Sequence, residues 1–210
     1  MGLEYEYRYS IFNKADIISN IKKNKGKKKG TYLFRVSVFE HPLKEENSYV
    51  RVRDEGFKVT MTVKHNIHKQ FVDEDEVVID DYDTGIKIFL GLGCKKLYSY
   101  EKIREIWTMG NTEVVFDTNP GRVDIMEVES ATKKELLLMV KKLSLQDTPH
   151  DNFTDKDLYG VFGINFNKRK KGDINFKNVL KFLKPLVKKN MNEFMLMVSN
   201  QTKMYKKVTK

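Results

Sequence analysis

Acidic residues spaced two apart occur in two short stretches of the chain. Glu4 and Glu6 lie in "LEYEYRY", and Glu127 and Glu129 lie in "VDIMEVE". In a β-strand, residues two apart point to the same side of the sheet. Converging carboxylate pairs repel each other unless a cation lies between them. Mg²⁺ takes carboxylate oxygens and keeps further positions for water and phosphate oxygens. If these strands are neighbours, their glutamates predict a divalent-metal site.

Basic residues continue the same spacing after Glu6 in the first stretch and also occur on the segments between the two stretches. They are Arg8, Arg51, Arg53, Lys64, Lys102 and Arg104. Lysine and arginine suit phosphate oxygens, and arginine can bind two of them at once. A solvated strand face explains any single stretch equally well. A generic surface, however, mixes the two charge signs. The segregated acid and base pairs therefore favour a site for a metal-bound polyphosphate.

The elements that position these side chains form a β-rich pattern with a few helices. We expect strands at 3–9, 31–41, 75–81 and 122–129, a hairpin over 48–64 that turns at "DEG", and two strands that turn at "MGN". Helices are expected at 14–23, 82–93 and 130–145. This order of elements predicts an antiparallel α+β fold, and a closed barrel is one arrangement that such a sheet can adopt.

The last third of the chain has a different pattern from the first part. It predicts two helical segments, broken or kinked near Pro185, with a stripe of Phe, Leu and Met for core or partner packing. We expect one domain over residues 1–165 and a basic helical extension over 166–210, packed on the same domain.

Composition narrows the class of protein. The 210 residues carry a formal net charge of +10, which favours anionic partners. One cysteine, Cys94, excludes an internal disulfide and fits a reducing, cytoplasmic compartment. The apolar runs are too short to span a membrane, so we expect no membrane partner.

Several charged or polar groups are expected to lie outside the site. The lysine-rich stretch 22–30 is predicted as a loop, either solvated or in contact with an RNA backbone. The histidines show no ligand spacing with acids. The following acids are predicted to be solvated or in loops, although one of them could orient a basic residue: Glu74, Glu76, Asp80 and Asp81.

The stretch "EYEYR" at 4–8 resembles the ExExK signature of the CYTH domain, also called the triphosphate tunnel metalloenzyme family. The order of later stretches is similar too: "VRVR", a strand ending in Lys64, "KIR", "FDTNPG" and "EVE". The resemblance covers residues 3–145, and "DKDLYGVF" at 155–162 resembles a later tyrosine-containing segment. Arg8 stands where the short bacterial-type motif has lysine, which resembles RNA triphosphatases of the fungal and large-virus type. The turn in "NPGRVDIMEVE" is bulkier than the glycine-rich form of the cyclases and thiamine triphosphatases.

This resemblance implies an eight-stranded antiparallel closed β-barrel with flanking helices, a tunnel that binds a triphosphate end-on. By position it implies that Glu4, Glu6, Glu127 and Glu129 are catalytic and bind Mg²⁺ or Mn²⁺, with Asp117 as a weaker candidate for a metal ligand. It assigns phosphate binding to Arg8, Arg51, Arg53, Lys64, Lys102 and Arg104.

Family activities include inorganic, thiamine and RNA 5′-triphosphatases and class IV adenylate cyclase. The residues favour hydrolysis of the terminal phosphate of a triphosphate, either RNA 5′-triphosphate or inorganic triphosphate. A cyclase that makes cyclic AMP and pyrophosphate from ATP is one alternative. A non-catalytic module that binds polyphosphate or RNA is the other, and the oligomeric state stays open.

Overall fold

The computed structural model describes residues 5–46, 48–68, 71–165 and 174–210. The strands are β1 (Tyr5–Tyr9), β2 (Lys27–Glu40), β3 (Tyr49–Asp54), β4 (Val59–His68), β5 (Phe71–Ile79), β6 (Lys96–Met109), β7 (Thr112–Thr118) and β8 (Ile125–Ser130). The helices are α1 (Lys14–Lys23), α2 (Tyr82–Gly91), α3 (Lys133–Lys142), α4 (Asp155–Gly160), α5 (Val179–Leu183) and α6 (Met191–Val208), and a short 3-10 helix spans Lys184–Leu186. The α+β class is therefore confirmed.

All eight strands join one antiparallel sheet in the order β1-β8-β7-β6-β2-β3-β4-β5. Among the described residues, no hydrogen-bonded pairing joins the end strands β1 and β5, so the predicted closure of the barrel is not confirmed. The outer edge of β1 is occupied in part by the segment after α3. The Asp151 amide donates to the Arg8 carbonyl at 2.9 Å, and the Arg8 amide donates to Oδ1 of Asp151 at 2.9 Å.

The period-two pattern places charged and apolar side chains on opposite faces of the sheet. In the β1–β8 pair, Glu6 lies opposite Glu129 and Arg8 opposite Glu127. The intervening residues pack on the other face against α1 and α3. This core includes Tyr9, Ile17, Ile21, Val114, Phe116, Met126, Val128, Leu136 and Val140. Burying each of the larger aliphatic or aromatic side chains contributes about 1.5–3 kcal/mol, so this face fixes the direction of the charged one.

Local capping explains where the covering helices begin. The Asn13 side chain accepts hydrogen bonds from the amides of Ala15 and Asp16 at the start of α1. The Thr132 side chain accepts a hydrogen bond from the Glu135 amide at the start of α3 in the same way. These side chains satisfy amides that have no partner inside the first helical turn.

Helix α2 covers the other half of the sheet. Its Tyr82 and Phe89 pack with Phe39, Val50 and Val52. Gly85 permits this contact, because a Cβ there would lie 2.6 Å from Cδ1 of Ile79 and 2.9 Å from Cγ1 of Val52. The sheet thus has a helix layer behind both of its halves.

The C-terminal segments pack onto α4 and the turn before β8. Buried residues of this cluster include Tyr159, Phe162, Leu183, Phe194 and Val198. The two helical segments predicted around Pro185 are confirmed by α5 and α6. No helix in the described ranges has both the length and the apolar character needed to cross a membrane.

Several element boundaries differ from the sequence prediction, and α3, for example, spans Lys133–Lys142 instead of 130–145. The loop predicted over 22–30 is wrong at its end, because Lys27–Gly30 already belong to β2. There Lys28 pairs with Trp107 of β6, with a bulge before Gly30. Hydrogen bonds between this part of β2 and the long strand β6 outweigh the poor strand propensity of lysine and glycine. Strand β5 starts at Phe71 instead of 75, and β8 starts at Ile125 instead of 122.

Candidate functional site

Three glutamates converge at the β1–β8 pair. Glu6, Glu127 and Glu129 each offer a carboxylate oxygen, and these oxygens lie within 4.8 Å of one another. We call them the acidic cluster. Glu4, predicted as a fourth ligand, lies outside the described residues. Three convergent carboxylates are an oxygen-rich donor set that suits a hard divalent cation.

The ionisation of Glu6 reflects this crowding. Burial on the charged face, together with the negative charge of Glu127, raises the pKa of Glu6 to about 7. Arg8 and Arg104 act in the opposite direction but do not cancel the effect. Nε of Arg8 lies 3.6 Å from both Glu6 and Glu127. The cluster is therefore a place where an added positive charge is favourable.

A second group of charges, the central ion-pair group, lies beside the acidic cluster and consists of Lys102, Arg104 and Asp117. Nζ of Lys102 and Nη2 of Arg104 each donate to Oδ2 of Asp117 at 2.6 Å, and Nε of Arg104 donates to Oδ1 at 2.7 Å. Both oxygens of Asp117 therefore bind cations. Asp117, predicted as a weaker metal ligand, lies with these cations and not among the three converging glutamates.

Burial and charge oppose each other within the central ion-pair group. The Asp117 side chain is 2% exposed, and burial alone would raise its pKa. The charges of Lys102 and Arg104 outweigh burial and hold the pKa of Asp117 below its usual range. The same pairing raises the pKa of Arg104 against the effect of its burial. Lys102 differs, because burial lowers its pKa against the attraction of Asp117.

Arg104 connects the two groups. Its Nη2 donates to Oε2 of Glu127 at 2.5 Å, and its Nη1 lies 4.0 Å from Glu129. A planar guanidinium can serve several carboxylates at once, which a lysine ammonium does less well. Arg104 therefore sets the position of the acidic cluster as well as carrying positive charge.

The other predicted cations form the basic wall on β3 and β4: Arg51, Arg53 and Lys64. Each is paired with an acid on the next strands. Nη2 of Arg51 lies 2.8 Å from Glu74, and Nζ of Lys64 lies 2.7 Å from the other oxygen of Glu74. Nη2 of Arg53 lies 3.2 Å from Glu76. The basic wall is therefore held by two carboxylates of β5.

Glu74 and Glu76 were predicted to lie outside the site. The prediction that they are merely solvated is wrong for both, since each contacts two or more cations. The remark that an acid in this set could orient a basic residue is confirmed. The available signal was their two-residue spacing in "DEDEVV", which repeats the pattern of the other charged strands.

Arg53 has an unused hydrogen-bond donor. Its Nη2 lies 2.6 Å from Glu55, but its buried Nε has no partner in the described part of the chain. Burial and the nearby charge of Arg51 lower the pKa of Arg53. A buried guanidinium N–H without an acceptor is costly, and an anionic oxygen would satisfy it.

Comparison with known proteins agrees with this geometry. The CYTH domain family matches residues 2–150 of the chain. The chain belongs to the CYTH family. The resemblance inferred from "EYEYR" and the stretches after it is therefore confirmed, and it accounts for the antiparallel sheet that carries the charged face.

Solved structures share the fold. PH1012 protein from Pyrococcus horikoshii OT3 is 22% identical, with a TM-score of 0.61 over 75% of this chain and 99% of that one. A candidate adenylate cyclase from Vibrio parahaemolyticus is 14% identical, with a TM-score of 0.62 over 75% of this chain and 97% of that one. HpAC1 from Hippeastrum, a candidate adenylyl cyclase described as having dominant triphosphatase activity, is 16% identical, with a TM-score of 0.51 over 77% and 96%. At these identities the likeness is one of fold. No curated protein matches the chain significantly.

Proposed function

We propose that this CYTH protein is a divalent-metal-dependent triphosphatase that hydrolyses the terminal phosphate of a triphosphate. The observation that supports it most is the placement of the acidic cluster and two sets of cations on one sheet face. A polyphosphate requires both features, because metal and cations together neutralise its charge. Binding alone would need only the cations, so the converging glutamates favour an enzyme.

The acidic cluster fits Mg²⁺ or Mn²⁺ by its chemistry, since all three donors are carboxylates. The raised pKa of Glu6 supports this fit, because repulsion by Glu127 would be relieved by a cation. We propose Glu6, Glu127 and Glu129 as ligands. We add Glu4, which the two-residue spacing in "EYEYR" predicts to share a strand face with Glu6. A bound metal would polarise the terminal phosphate and favour ionisation of an attacking water.

The chain's own residues bind and orient the triphosphate. In this proposal Arg51, Arg53 and Lys64 exchange part of their pairing with Glu74 and Glu76 for phosphate oxygens. The unpartnered Nε of Arg53 is the donor with most to gain from this exchange. Lys102 and Arg104 stabilise the negative charge that develops at the reacting phosphate. Arg8, between Glu6 and Glu127, contacts the same phosphate from the β1 side.

The same proposal includes the closure of the sheet around the substrate and the division of the chain into a domain and an extension. We propose that the charged face curls around the triphosphate as a closed barrel, and that residues 1–165 form this domain. Residues 166–210 would be an extension that packs on it through α6. We also propose that the protein functions in the cytoplasm, which the buried free thiol of Cys94 fits.

The substrate is proposed to be RNA 5′-triphosphate or inorganic triphosphate. The net charge of +10 and arginine at position 8 favour RNA. Adenylate cyclase is the second candidate, because two of the similar structures are described as candidate cyclases. The two activities differ in product, since the hydrolase releases orthophosphate and the cyclase releases pyrophosphate.

The deciding experiment is product analysis with Mg²⁺ or Mn²⁺ on triphosphate-ended RNA, inorganic triphosphate, ATP and thiamine triphosphate. We expect orthophosphate release that is lost in the Glu127→Ala, Glu129→Ala double variant. Glu113→Ala is the matched control, since Glu113 lies on the same face but pairs with Lys29 at 2.9 Å. Cyclic AMP with pyrophosphate would establish the cyclase instead. No turnover, with phosphate binding that persists without metal, would favour the binding module.

A further inference from the structure

A second group of potential metal ligands lies away from the acidic cluster, where β2 leads into β3. His41 follows the last residue of β2, Glu45 lies in the loop after it, and His65 is on β4. Each offers one ligand atom, and these atoms lie within 4.8 Å of one another. The rings of His41 and His65 have centroids 5.6 Å apart and an edge-to-face orientation.

The distances within this group are close to those of a tetrahedral metal site. Oε2 of Glu45 lies 3.1 Å from Nδ1 of His65 and 3.8 Å from Nε2 of His41. A tetrahedral ion with bonds of about 2.1 Å separates its ligand atoms by about 3.4 Å. The two measured separations bracket this value, so a cation fits between the three atoms with small side-chain movements.

His41 is buried and has few polar contacts. Its ring is 6% exposed, and its Nδ1 has no hydrogen-bond partner among the described residues. Its Nε2 is too far from Glu45 for a hydrogen bond. An ion between Nε2 of His41 and Oε2 of Glu45 would bind both atoms, which at 3.8 Å are too far apart to pair directly.

His65 has the environment of an oriented ligand. While Nδ1 faces Glu45, Nε2 lies 3.9 Å from Oδ2 of Asp75 on β5. A metal-binding histidine commonly presents its second nitrogen to a carboxylate, which fixes the tautomer and ring orientation. Asp75 is largely exposed and can close this distance by a change of rotamer.

We propose that His41, Glu45 and His65 bind a borderline transition-metal ion, with Zn²⁺ as the type ion and water as the fourth ligand. Two imidazoles and one carboxylate are a donor set for Zn²⁺, whereas Mg²⁺ prefers an all-oxygen site. The ion would tie the β2–β3 loop to β4, next to Lys64 of the basic wall. This site is separate from the proposed function, which uses the acidic cluster.

The test is calorimetric titration of the metal-free full chain with Zn²⁺ in excess Mg²⁺, which occupies the acidic cluster. The Glu127→Ala, Glu129→Ala background removes that cluster altogether. We expect one Zn²⁺ per chain in both proteins. Co²⁺ in place of Zn²⁺ should give the strong visible absorption of a four-coordinate ion.

Variants then locate the bound ion. Even outer partners of a metal site typically contribute 10–100-fold to affinity, so His65→Gln and Glu45→Gln should each weaken Zn²⁺ binding by at least about tenfold. Glu46→Gln, a neighbouring exposed acid, should leave it unchanged. Glu45 lies in a loop and is 39% exposed, so its variant tests the site without threatening the fold. Absence of Zn²⁺ binding in the double-variant background, or equal affinity in Glu45→Gln and Glu46→Gln, would overturn the proposal.

Discussion

The two halves of the charged face hold their cations in different ways. In the central ion-pair group, Lys102 and Arg104 share Asp117, whose side chain is 2% exposed. In the basic wall, Arg51, Arg53 and Lys64 rely on Glu74 and Glu76, which are 27% and 26% exposed. Coulomb attraction is strong where water is excluded and weak where it is not. The first half is therefore held more firmly, and the second half is the one that we propose exchanges carboxylate for phosphate.

Edge position reinforces this difference. Asp117 lies on β7, between β6 and β8, whereas Glu74 and Glu76 lie on β5 at the end of the strand order. Among the described residues, β7 therefore has a paired strand on each side, whereas β5 has one on a single side. We infer that the central group maintains the geometry of the acidic cluster, while the basic wall adapts to the triphosphate.

The largest effect is expected at the acidic cluster. Glu127→Gln should lower kcat/KM for Mg²⁺-dependent orthophosphate release on the order of 10²–10³-fold, because it removes a ligand charge and a partner of Arg104. Glu74→Gln is the matched variant in the other half and should change kcat/KM much less. Steady-state kinetics on the best substrate measures both. An equal loss of kcat/KM in Glu127→Gln and Glu74→Gln would show that the two halves of the charged face do not differ in this way.

Asp117→Asn tests whether the central group is structural. It leaves two buried cations without their carboxylate, and breaking a buried pair typically costs about 3–5 kcal/mol. Urea denaturation should show this loss in the free energy of unfolding. The control is Asp54→Asn, which weakens the exposed Arg35–Asp54 pair and should cost less than about 1 kcal/mol.

The same carboxylate predicts sensitivity to acid. The folded-state pKa of Asp117 is depressed, so its stabilisation is present above the unfolded-state pKa and is lost as pH falls below it. Wild type and Asp117→Asn should therefore converge in stability under strongly acidic conditions. A constant difference down to the lowest pH at which the fold persists would contradict the ionised pairing.

Arg53→Ala should act mainly on substrate binding. Charged hydrogen bonds contribute about 1.5–3 kcal/mol, so KM should rise about tenfold to a hundredfold with a smaller change in kcat. Arg53→Lys keeps the positive charge but loses the forked set of guanidinium donors. Its KM should lie between those of the wild type and Arg53→Ala. A loss confined to kcat would place Arg53 with the more firmly held half of the site.

The smallest effect is a pH dependence at Glu6. Its folded pKa of about 7 is above the ordinary 4.5, so metal-free stability should fall as pH rises from about 4.5 to 7. Metal binding needs the ionised carboxylate, so Mg²⁺ affinity should rise about tenfold per pH unit below 7 and level off above it. The shift in melting temperature caused by Mg²⁺, measured from roughly pH 5.5 to 8.5, gives the slope of Mg²⁺ affinity against pH on both sides of this pKa. Glu6→Gln should flatten it, whereas Glu113→Gln should not.

Much of the site could be predicted because strand alternation is local. The spacing in "EYEYR" and "EVE" places Glu6 with Arg8 and Glu127 with Glu129 on shared faces, and the register confirms that these strands are neighbours. The basic pairs on β3 and β6 followed from the same rule. Strand boundaries were less predictable, because Lys27–Gly30 form strand only through pairing with β6.

Other features depended on contacts between residues far apart in the chain. Glu74 and Glu76 bind Arg51, Arg53 and Lys64 across β4, and their two-residue spacing predicts a shared face but not which cations they contact. The histidines showed no ligand spacing in sequence, yet His41 and His65 meet at Glu45. Asp151 occupies the β1 edge from 143 residues away.

The sequence alone established which side chains share a face, because the geometry of an extended chain fixes that alternation within a few residues. It also determined the charge segregation that indicates a polyphosphate site. The tertiary structure decided which charges are neighbours, how deeply each pair is buried and therefore which pairs can exchange. Those properties arise from strand order and register, which are set by the helix-covered apolar face and by long-range pairing.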